Sequence, residues 1–292
     1  MARDIHYSES IGTSSSNTTT YQTKLSLTFT QRANGDYFIL LSSLFGTNIN
    51  TTDFRSRLTD GTTTYFDHTV EGGSASEVIP HFSLVRIAGT ANPTAKTYNY
   101  EFSVESTSLT ASLSDARLLA FSRDGADGYI ETEGTTSANS TTYVNKLSLS
   151  LSVPSTGNYL IVFSTEFDTQ SAPNDCGFRI TVDGTEQVAA LQINGDSTNW
   201  TPVGAVLTVN LAAGTRTINL DHRTNATTRS DIRRTRLAAI RLDTFKQSWS
   251  ASKRTISQTQ SLSAVNVHSL TATGSAPGDN IVFTSSFGGA AT

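Results

Sequence analysis

The stretch RDGADGYIETE, residues 123–133, is the part of the sequence best suited to bind a cation. It places the carboxylates of Asp124, Asp127, Glu131 and Glu133 close together, and Ca²⁺ takes roughly six to eight oxygen ligands. The EF-hand spacing D-x-D-x-D-G is absent, and two successive Asp-Gly pairs are typical of turns. We therefore interpret the stretch as a turn between two domains, with Asp124 and Asp127 as alternative calcium ligands, and we predict no cofactor.

The stretch RSDIRRTR, residues 229–236, could bind a phosphate or an acidic partner. Arg236 has a counterpart in Arg117, at the start of a matching strand, and such a repeated arginine is predicted to form an ion pair with a nearby carboxylate. Arg233 and Arg234 occur in only one of the two matching stretches. We predict that these two arginines face another subunit.

Patterns that indicate catalysis are absent from the sequence. The five histidines form no HExxH or HxH pair, and no G-x-S-x-G elbow presents a nucleophilic serine. The single cysteine, Cys176, excludes an intrachain disulfide and is predicted to be structural. We predict that the protein is not an enzyme. Trp200, in STNWTPVG, is a candidate platform for stacking a sugar, and an ordinary core or edge position is the alternative.

The composition predicts an all-β protein. Ser and Thr supply 84 of 292 residues, and β-branched and aromatic residues supply much of the apolar bulk, which favours strands. With 21 Lys+Arg against 25 Asp+Glu, the chain lacks the basic surface of a nucleic-acid-binding protein. No apolar run approaches the roughly 20 residues that span a bilayer. We predict neither nucleic-acid nor membrane binding.

The candidate residues are distributed over a sequence that repeats itself. SNTTTYQTKLSL, residues 16–27, matches ANSTTYVNKLSL, residues 138–149, at eight of twelve positions. The match continues along the chain: FRSRLTDGTT aligns with FRITVDGTE so that Phe54 meets Phe178, and ARLLAF aligns with TRLAAI. Such a match indicates a duplicated domain.

Each copy contains short strands separated by turn signals. In YQTKLSLTFTQRANGDYFILL and in YVNKLSLSLSVPSTGNYLIVF, an alternating strand is followed by a glycine-containing turn and an apolar strand. We interpret each of these pairs, and also VLTVNLAAGTRTINL, as a hairpin. We predict tandem antiparallel β-sandwiches at residues 1–121 and 122–242, with a jelly roll preferred over an immunoglobulin-like sandwich.

Residues 243–292 are predicted to begin a third copy, because SQTQSLSAVNVHSLTATGSAPGDNIVFTSSF follows the same plan. Two or three strands cannot bury enough surface to be stable alone. Either the natural chain continues beyond residue 292, or another subunit supplies strands to an open sheet edge. In the second case the predicted contact residues are Val265, Val267, Ile281, Val282 and Phe283.

The stretches STGNYLIVFSTEF, FRITVDGT, VLTVNLAAGTRTINLDHR and RRTRLAAIRL resemble the β-sandwich modules of structural proteins in tailed bacteriophages. These modules are the jelly-roll-like domains of head decoration proteins and fibres. The resemblance covers both copies but lies in strand order, with no diagnostic motif, so it carries over no functional residue. It implies assembly on a capsid or fibre, frequently as trimers, without catalysis.

We therefore expect a structural virion protein that decorates or cements a capsid, or forms a fibre. Its expected partners are other virion proteins and copies of itself, with a trimer favoured. The N-terminal segment lacks the apolar core of a secretory signal. Together with the low charge, this predicts assembly in the host cytoplasm and a place in the virion. The alternative is an extracellular or cell-surface adhesin that binds glycans through loops bearing Trp200.

Overall fold

The computed structural model describes residues 3–47, 53–71, 78–169, 175–194, 200–224, 229–245, 248–253, 265–273 and 280–287. For the strands beyond Phe245 it describes the backbone alone. The described ranges contain strands, turns and one short 3-10 helix, with no α-helix. The first nine strands are β1 Ile5–Ser10, β2 Ser14–Ser16, β3 Gln22–Thr30, β4 Tyr37–Thr47, β5 Asp53–Thr59, β6 Thr64–Glu71, β7 Val78–Ile87, β8 Ala95–Val104 and β9 Ala111–Ser122.

Strands β1–β9 form the first sandwich, which is a jelly roll. One sheet has the order β1-β9-β4-β7, with β2 also paired to β9, and the other has the order β3-β8-β5-β6. All of these neighbouring strands pair antiparallel. Consecutive main strands change sheets at every step except between β5 and β6, as expected for two interlocked Greek keys. The expectation of an all-β, jelly-roll-like sandwich is confirmed.

The core of the first sandwich lies between its two sheets. On β3, Leu25, Leu27 and Phe29 are buried and alternate with exposed polar residues, so one face of the strand packs inward. The rings of Phe45 on β4 and Phe54 on β5 stack with centroids 4.1 Å apart, which joins the two sheets. Side chains from both sheets belong to one continuous apolar cluster.

The same strand order occurs a second time in strands β10–β18, the second sandwich. Its sheets have the orders β10-β18-β13-β16, with β11 paired to β18, and β12-β17-β14-β15. Phe178 on β14 lies 5.8 Å from Phe163 on β13, ring to ring, and so links the two sheets. The strands are β10 Gly128–Thr132, β11 Thr136–Ala138, β12 Val144–Val153, β13 Gly157–Thr169, β14 Asp175–Val182, β15 Thr185–Asn194, β16 Thr201–Leu211, β17 Gly214–Thr224 and β18 Ser230–Arg241.

The three predicted hairpins are wrong, because each of those strand pairs is divided between opposite sheets. Strand β3 pairs with β8 while β4 pairs with β7 and β9; the corresponding β12 and β13 are also separated, as are β16 and β17. A period-two pattern identifies the buried face of a strand but not its neighbour. The connections at residues 31–36, 154–156 and 212–213 cross between sheets that pack roughly 10 Å apart. The observed hairpins β5–β6 and β14–β15 each turn at an Asp-Gly pair, Asp60-Gly61 in the first and Asp183-Gly184 in the second.

The repeated sequence KLSL begins at a β-bulge in both sandwiches. The strand register shifts around Lys24 in β3 and around Lys146 in β12. Each ammonium group turns back to the segment before its strand: Lys24 donates to the carbonyl of Gly12, and Lys146 donates to that of Gly134. Donation to carbonyls that the ladder does not use satisfies them and closes this corner of the sandwich. The shared lysine therefore has a structural role.

The third sheet is a three-stranded meander in the order β19-β20-β21. Its strands are β19 Ser248–Lys253, β20 Val265–Thr273 and β21 Asn280–Phe287, and a 3-10 turn at Leu242–Thr244 precedes them. Strands β20 and β21 pair directly, whereas the strands with the same sequence pattern in the sandwiches lie in opposite sheets. The domain boundaries at residues 121 and 242, and the interpretation as a partial third copy, stay predictions.

Candidate functional site

The acidic stretch forms a turn whose central carboxylate is paired with an arginine. Asp127 is buried, and the Nη1 and Nη2 atoms of Arg3 donate to its two oxygens at 2.5 and 2.7 Å. The backbone N–H groups of Asp124 and Arg241 donate to the same carboxylate. The calcium interpretation of Asp124 and Asp127 thus meets a physical obstacle, because both oxygens of Asp127 already accept hydrogen bonds. Among the described residues, no three His, Cys, Asp or Glu side chains are grouped to hold a metal ion.

The two arginines predicted to face another subunit both pair with a buried carboxylate of the second sandwich. Arg233 Nε lies 2.6 Å from one oxygen of Glu166, and Arg234 Nη1 lies 3.0 Å from the other. Glu166 is only 1% exposed, and the positive charges of the two arginines offset the cost of burying its carboxylate. Each of these arginine side chains is about one-third exposed to solvent. A subunit contact through Arg233 and Arg234 stays a prediction.

The repeated arginine at the matching strands forms ion pairs in both sandwiches. Arg236 lies 3.4 Å from a carboxylate oxygen of Glu131 and 3.1 Å from one of Glu133. Its counterpart Arg117 lies 3.6 Å from Glu9. In each case the carboxylates belong to the first strand of the sandwich or follow directly after it, so the pair links the first and last strands. The predicted structural role fits this geometry.

Trp200 is half-buried and lies directly before β16. The structure thus leaves part of its surface accessible, and a glycan contact there stays a prediction. Of the predicted assembly residues, Val265 and Val267 lie on β20, and Ile281, Val282 and Phe283 lie on β21. Their side chains lie outside the described part of the structure.

A cluster of histidine, serine and tyrosine side chains in the first sandwich was missed by the sequence analysis. Ser83 Oγ lies 2.9 Å from His81 Nε2 and 3.2 Å from His68 Nε2, while His81 Nδ1 lies 3.0 Å from Tyr100 Oη. Tyr100 Oη also lies 2.8 Å from Ser43 Oγ. His81 and Ser83 are two positions apart on β7, but the other members are far from them in sequence, and all lie on inward-facing positions of their strands, so no local motif reveals the cluster.

The histidine cluster is part of the core and has no path for a substrate among the described residues. All of its members are less than 5% exposed. Burial, together with the nearby His68, holds the pKa of His81 well below its ordinary value of 6.5. A chain of hydrogen-bond donors and acceptors satisfies the buried polar atoms and favours one arrangement of the strands. The cluster therefore fits a structural role better than a catalytic one.

A second repeated constellation lies on the outer face of the sheet β3-β8-β5-β6. The guanidinium carbon of Arg57 lies 4.0 Å from the centre of the Tyr21 ring, and its Nε lies 2.7 Å from Glu101 Oε2. Tyr21 Oη donates to Asp67 Oδ1 at 2.8 Å. The charge and the hydroxyl are both satisfied within the sandwich.

The second sandwich contains the same stacked pair with different surroundings. Arg179 lies 4.1 Å from the Tyr143 ring and 2.8 Å from Asp221 Oδ2. The strand register therefore matches Arg57 with Arg179, 122 positions apart, and corrects the alignment of Phe54 with Phe178. Arg57 follows Ser56, whereas Arg179 follows Phe178. Because the two preceding residues differ, the sequence alignment matched Phe178 with the earlier Phe54 instead. This outer face is the candidate ligand site of the second sandwich.

Comparison with known proteins finds similar folds among solved structures but assigns the chain to no family. No family model matches the chain, and no curated protein matches it. Among solved structures, latent PorU from Porphyromonas gingivalis is 10% identical with a TM-score of 0.31, over 74% of this chain and 24% of that one. The structure of infectious bursal disease virus Gt strain is 9% identical with a TM-score of 0.32, over 82% and 74%.

The tandem CBM22 domain of Xyn10C from Paenibacillus barcinonensis is 10% identical, with a TM-score of 0.24, over 82% of this chain and 98% of that one. The chain thus spans about a quarter of PorU but nearly all of the tandem domain. TM-scores of this size carry no argument about function, and the strand order within each sandwich remains the basis of the fold assignment. Among the described residues, no helix is long and apolar enough to cross a membrane.

Proposed function

We propose that the protein is a non-enzymatic structural subunit that assembles through its third sheet. The observation that carries this proposal is the isolated meander β19-β20-β21, which pairs with no other described strand. A sheet of three strands is only marginally stable by itself, and its outer strands present unpaired N–H and C=O groups. A strand from another copy of the chain can pair with such an edge.

The charges of the two sandwiches support a structural role. Most described arginines are paired with carboxylates of their own sandwich, so the described part of the surface carries no extended field of one sign. The buried position of the histidine–serine cluster supports a role without catalysis. Contacts between copies would then rest on backbone pairing and shape, with the Ser- and Thr-rich faces keeping the subunit soluble.

The particular assembly that we propose is a virion. Jelly rolls are common in capsid and lectin domains, which makes a shell or fibre subunit a natural use of two of them in tandem. The copies would decorate or cement a capsid or build a fibre, with a trimer favoured. Glycan binding, as by an extracellular or tail-fibre adhesin, is the alternative use of the same fold.

Removal of the third sheet tests this proposal. A chain ending at Phe245 is expected to sediment as a monomer at all concentrations, whereas the full chain is expected to form a defined oligomer as concentration rises. Trp200→Ala serves as the control, since it leaves the third sheet unchanged and is expected to sediment like the full chain. A full chain that stays monomeric at high concentration, or a truncated chain that still assembles, would contradict the proposal.

A further inference from the structure

Arg223 lies on the outer face of the second sandwich and differs from the other arginines there in having no carboxylate partner among the described residues. The other described arginines there, from Arg3 and Arg179 to Arg241, each lie within ion-pair distance of a carboxylate. Arg223 forms no ion pair with a described residue, and its Nε has no hydrogen-bond partner. Its hydrogen bond within the described part of the chain is a long one, 3.4 Å from Nη1 to the carbonyl oxygen of Thr141. A half-buried guanidinium without a carboxylate is therefore an exception in this sandwich.

The surrounding residues hold Arg223 in one position on the sheet. Its side chain lies against Gly177 on the neighbouring strand β14, where a Cβ atom would come within 3.1 Å of Arg223 Cγ and 3.2 Å of Nε. The guanidinium carbon lies 4.9 Å from the centre of the Tyr143 ring. Glycine at position 177 thus leaves room for the arginine, and the ring fixes its head group before any ligand arrives.

In the first sandwich the tyrosine that corresponds to Tyr143 has a hydrogen-bond acceptor that Tyr143 lacks. There, Tyr21 donates its hydroxyl hydrogen to the carboxylate of Asp67 on β6. Its counterpart Tyr143 has a buried Oη with no hydrogen-bond partner. The strand that corresponds to β6 is β15, whose sequence between Val188 and Leu191 is Ala-Ala. The carboxylates that act on Tyr143 are those of Glu186 and Asp221, and Asp221 is already paired with Arg179.

We propose that Tyr143 and Arg223 form a binding site for the carboxylate of an acidic sugar. The ligand would displace the side chains that cover Tyr143 Oη in the unliganded chain, and one carboxylate oxygen would then accept the hydrogen bond that Asp67 accepts from Tyr21 in the first sandwich. The guanidinium of Arg223 would donate to the other oxygen and balance its charge, and such charge-assisted hydrogen bonds are among the stronger polar contacts. The proposal goes beyond the assembly function and does not depend on the third sheet.

A sugar acid fits the rim of this site better than a protein surface does. The exposed side chains beside Tyr143 include the hydroxyls of Thr141 and Thr142, which match sugar hydroxyl groups. Asn145 is exposed as well, but its amide nitrogen already donates to Leu147 O and Asp221 Oδ1. The large exposed apolar side chains among the described residues are Tyr7 and Ile11, both in the first sandwich. A protein partner would need apolar anchors at the centre of its contact.

Binding of glucuronate to the full chain tests the proposal, with glucose, acetate and a short polyglutamate peptide as the other arms. Saturation-transfer NMR and calorimetry are expected to show weak, saturable binding of glucuronate and none of glucose. Arg223→Gln is expected to weaken binding by about tenfold or more, since it removes a charge-assisted hydrogen bond. Tyr143→Phe is expected to weaken it less, because it removes one neutral donor.

Tyr21→Phe is the matched control, since it removes the equivalent hydroxyl in the first sandwich and is expected to leave glucuronate affinity unchanged. Absence of glucuronate binding to the unmodified chain, or equal affinity in the Arg223→Gln variant, would overturn the site. Acetate binding as tightly as glucuronate, or the peptide binding more tightly, would overturn the assignment to a sugar. Sedimentation of the same samples reports separately on assembly, so the two proposals can fail independently.

Discussion

Replacing Arg3 with alanine is expected to destabilise the second sandwich by about 3–5 kcal/mol, because it leaves a buried carboxylate without its partner. The side chains of Arg3 and Asp127 are 1% and 0% exposed, and two hydrogen bonds join them. Arg3 also donates to Thr244 Oγ1 at 2.7 Å, and its guanidinium carbon lies 4.5 Å from the Phe245 ring. The measurement is urea unfolding followed by hydrogen exchange in peptides from β10 and β18.

Arg216→Ala is the control for this prediction. Arg216 pairs with Asp183 at 3.0 Å, but both side chains are exposed to solvent, so the loss of Arg216 is expected to destabilise the sandwich much less than the loss of Arg3. The double variant Arg3→Ala with Asp127→Ala is expected to be more stable than Arg3→Ala alone, because no unpaired charge stays buried. A loss for Arg3→Ala no larger than that for Arg216→Ala would show that the buried pair has little effect on stability.

Replacing His222 with phenylalanine is expected to reduce the sensitivity of the second sandwich to acid. His222 is fully buried on β17, and its two ring nitrogens form no hydrogen bond of normal geometry, although backbone groups of Val144 and Thr136 lie close to the ring. Burial lowers its pKa from 6.5 to about 4, and the charge of Lys146 acts in the same direction. The unfolded chain therefore takes up a proton below about pH 6.5 that the folded chain takes up only below about pH 4. Stability is fully present above pH 6.5 and falls by about 3 kcal/mol as the pH approaches 4.

The counterpart of His222 in the first sandwich is Phe102, by strand register, so the fold accommodates an aromatic ring at this position. The His222→Phe variant is expected to lose less stability than the unmodified chain between pH 7 and pH 4. Unfolding free energies measured at both pH values, with peptides of each sandwich followed separately, provide the comparison. An identical pH dependence in the two chains would exclude His222 as the source of acid sensitivity.

Most of the fold could be predicted because the sequence of the sandwich is repeated in the chain. Period-two burial in strands such as β3 and the duplicated stretches at a spacing of 122 residues lead to two β-sandwiches, and the Asp-Gly signals mark the two observed hairpins. The incorrect hairpins have a physical cause. In a jelly roll, strands adjacent in sequence change sheets, and the alternation of buried side chains is the same whichever partner the strand takes.

The sites were less predictable, for reasons of sequence distance. Asp127 was identified as an alternative calcium ligand, but its actual partner Arg3 lies 124 positions away and belongs to no motif. The pairing of Tyr21 with Arg57, and of Tyr143 with Arg179, did leave a signal, because both pairs recur at a spacing of 122. The sequence alignment missed this spacing because it matched Phe54 with Phe178. The missing ion pair of Arg223 could be identified only from the structure.

Hydrogen exchange in the third sheet tests the central claim, which is that this sheet is completed by another copy of the chain. Amides of the outer strands β19 and β21 are followed in dilute and in concentrated samples of the full chain. If a second copy supplies a strand to either edge, amides of that edge are expected to exchange more slowly as concentration rises, while those inside the two sandwiches stay unchanged. Exchange that is equally fast in β19 and β21 at all concentrations would contradict the claim.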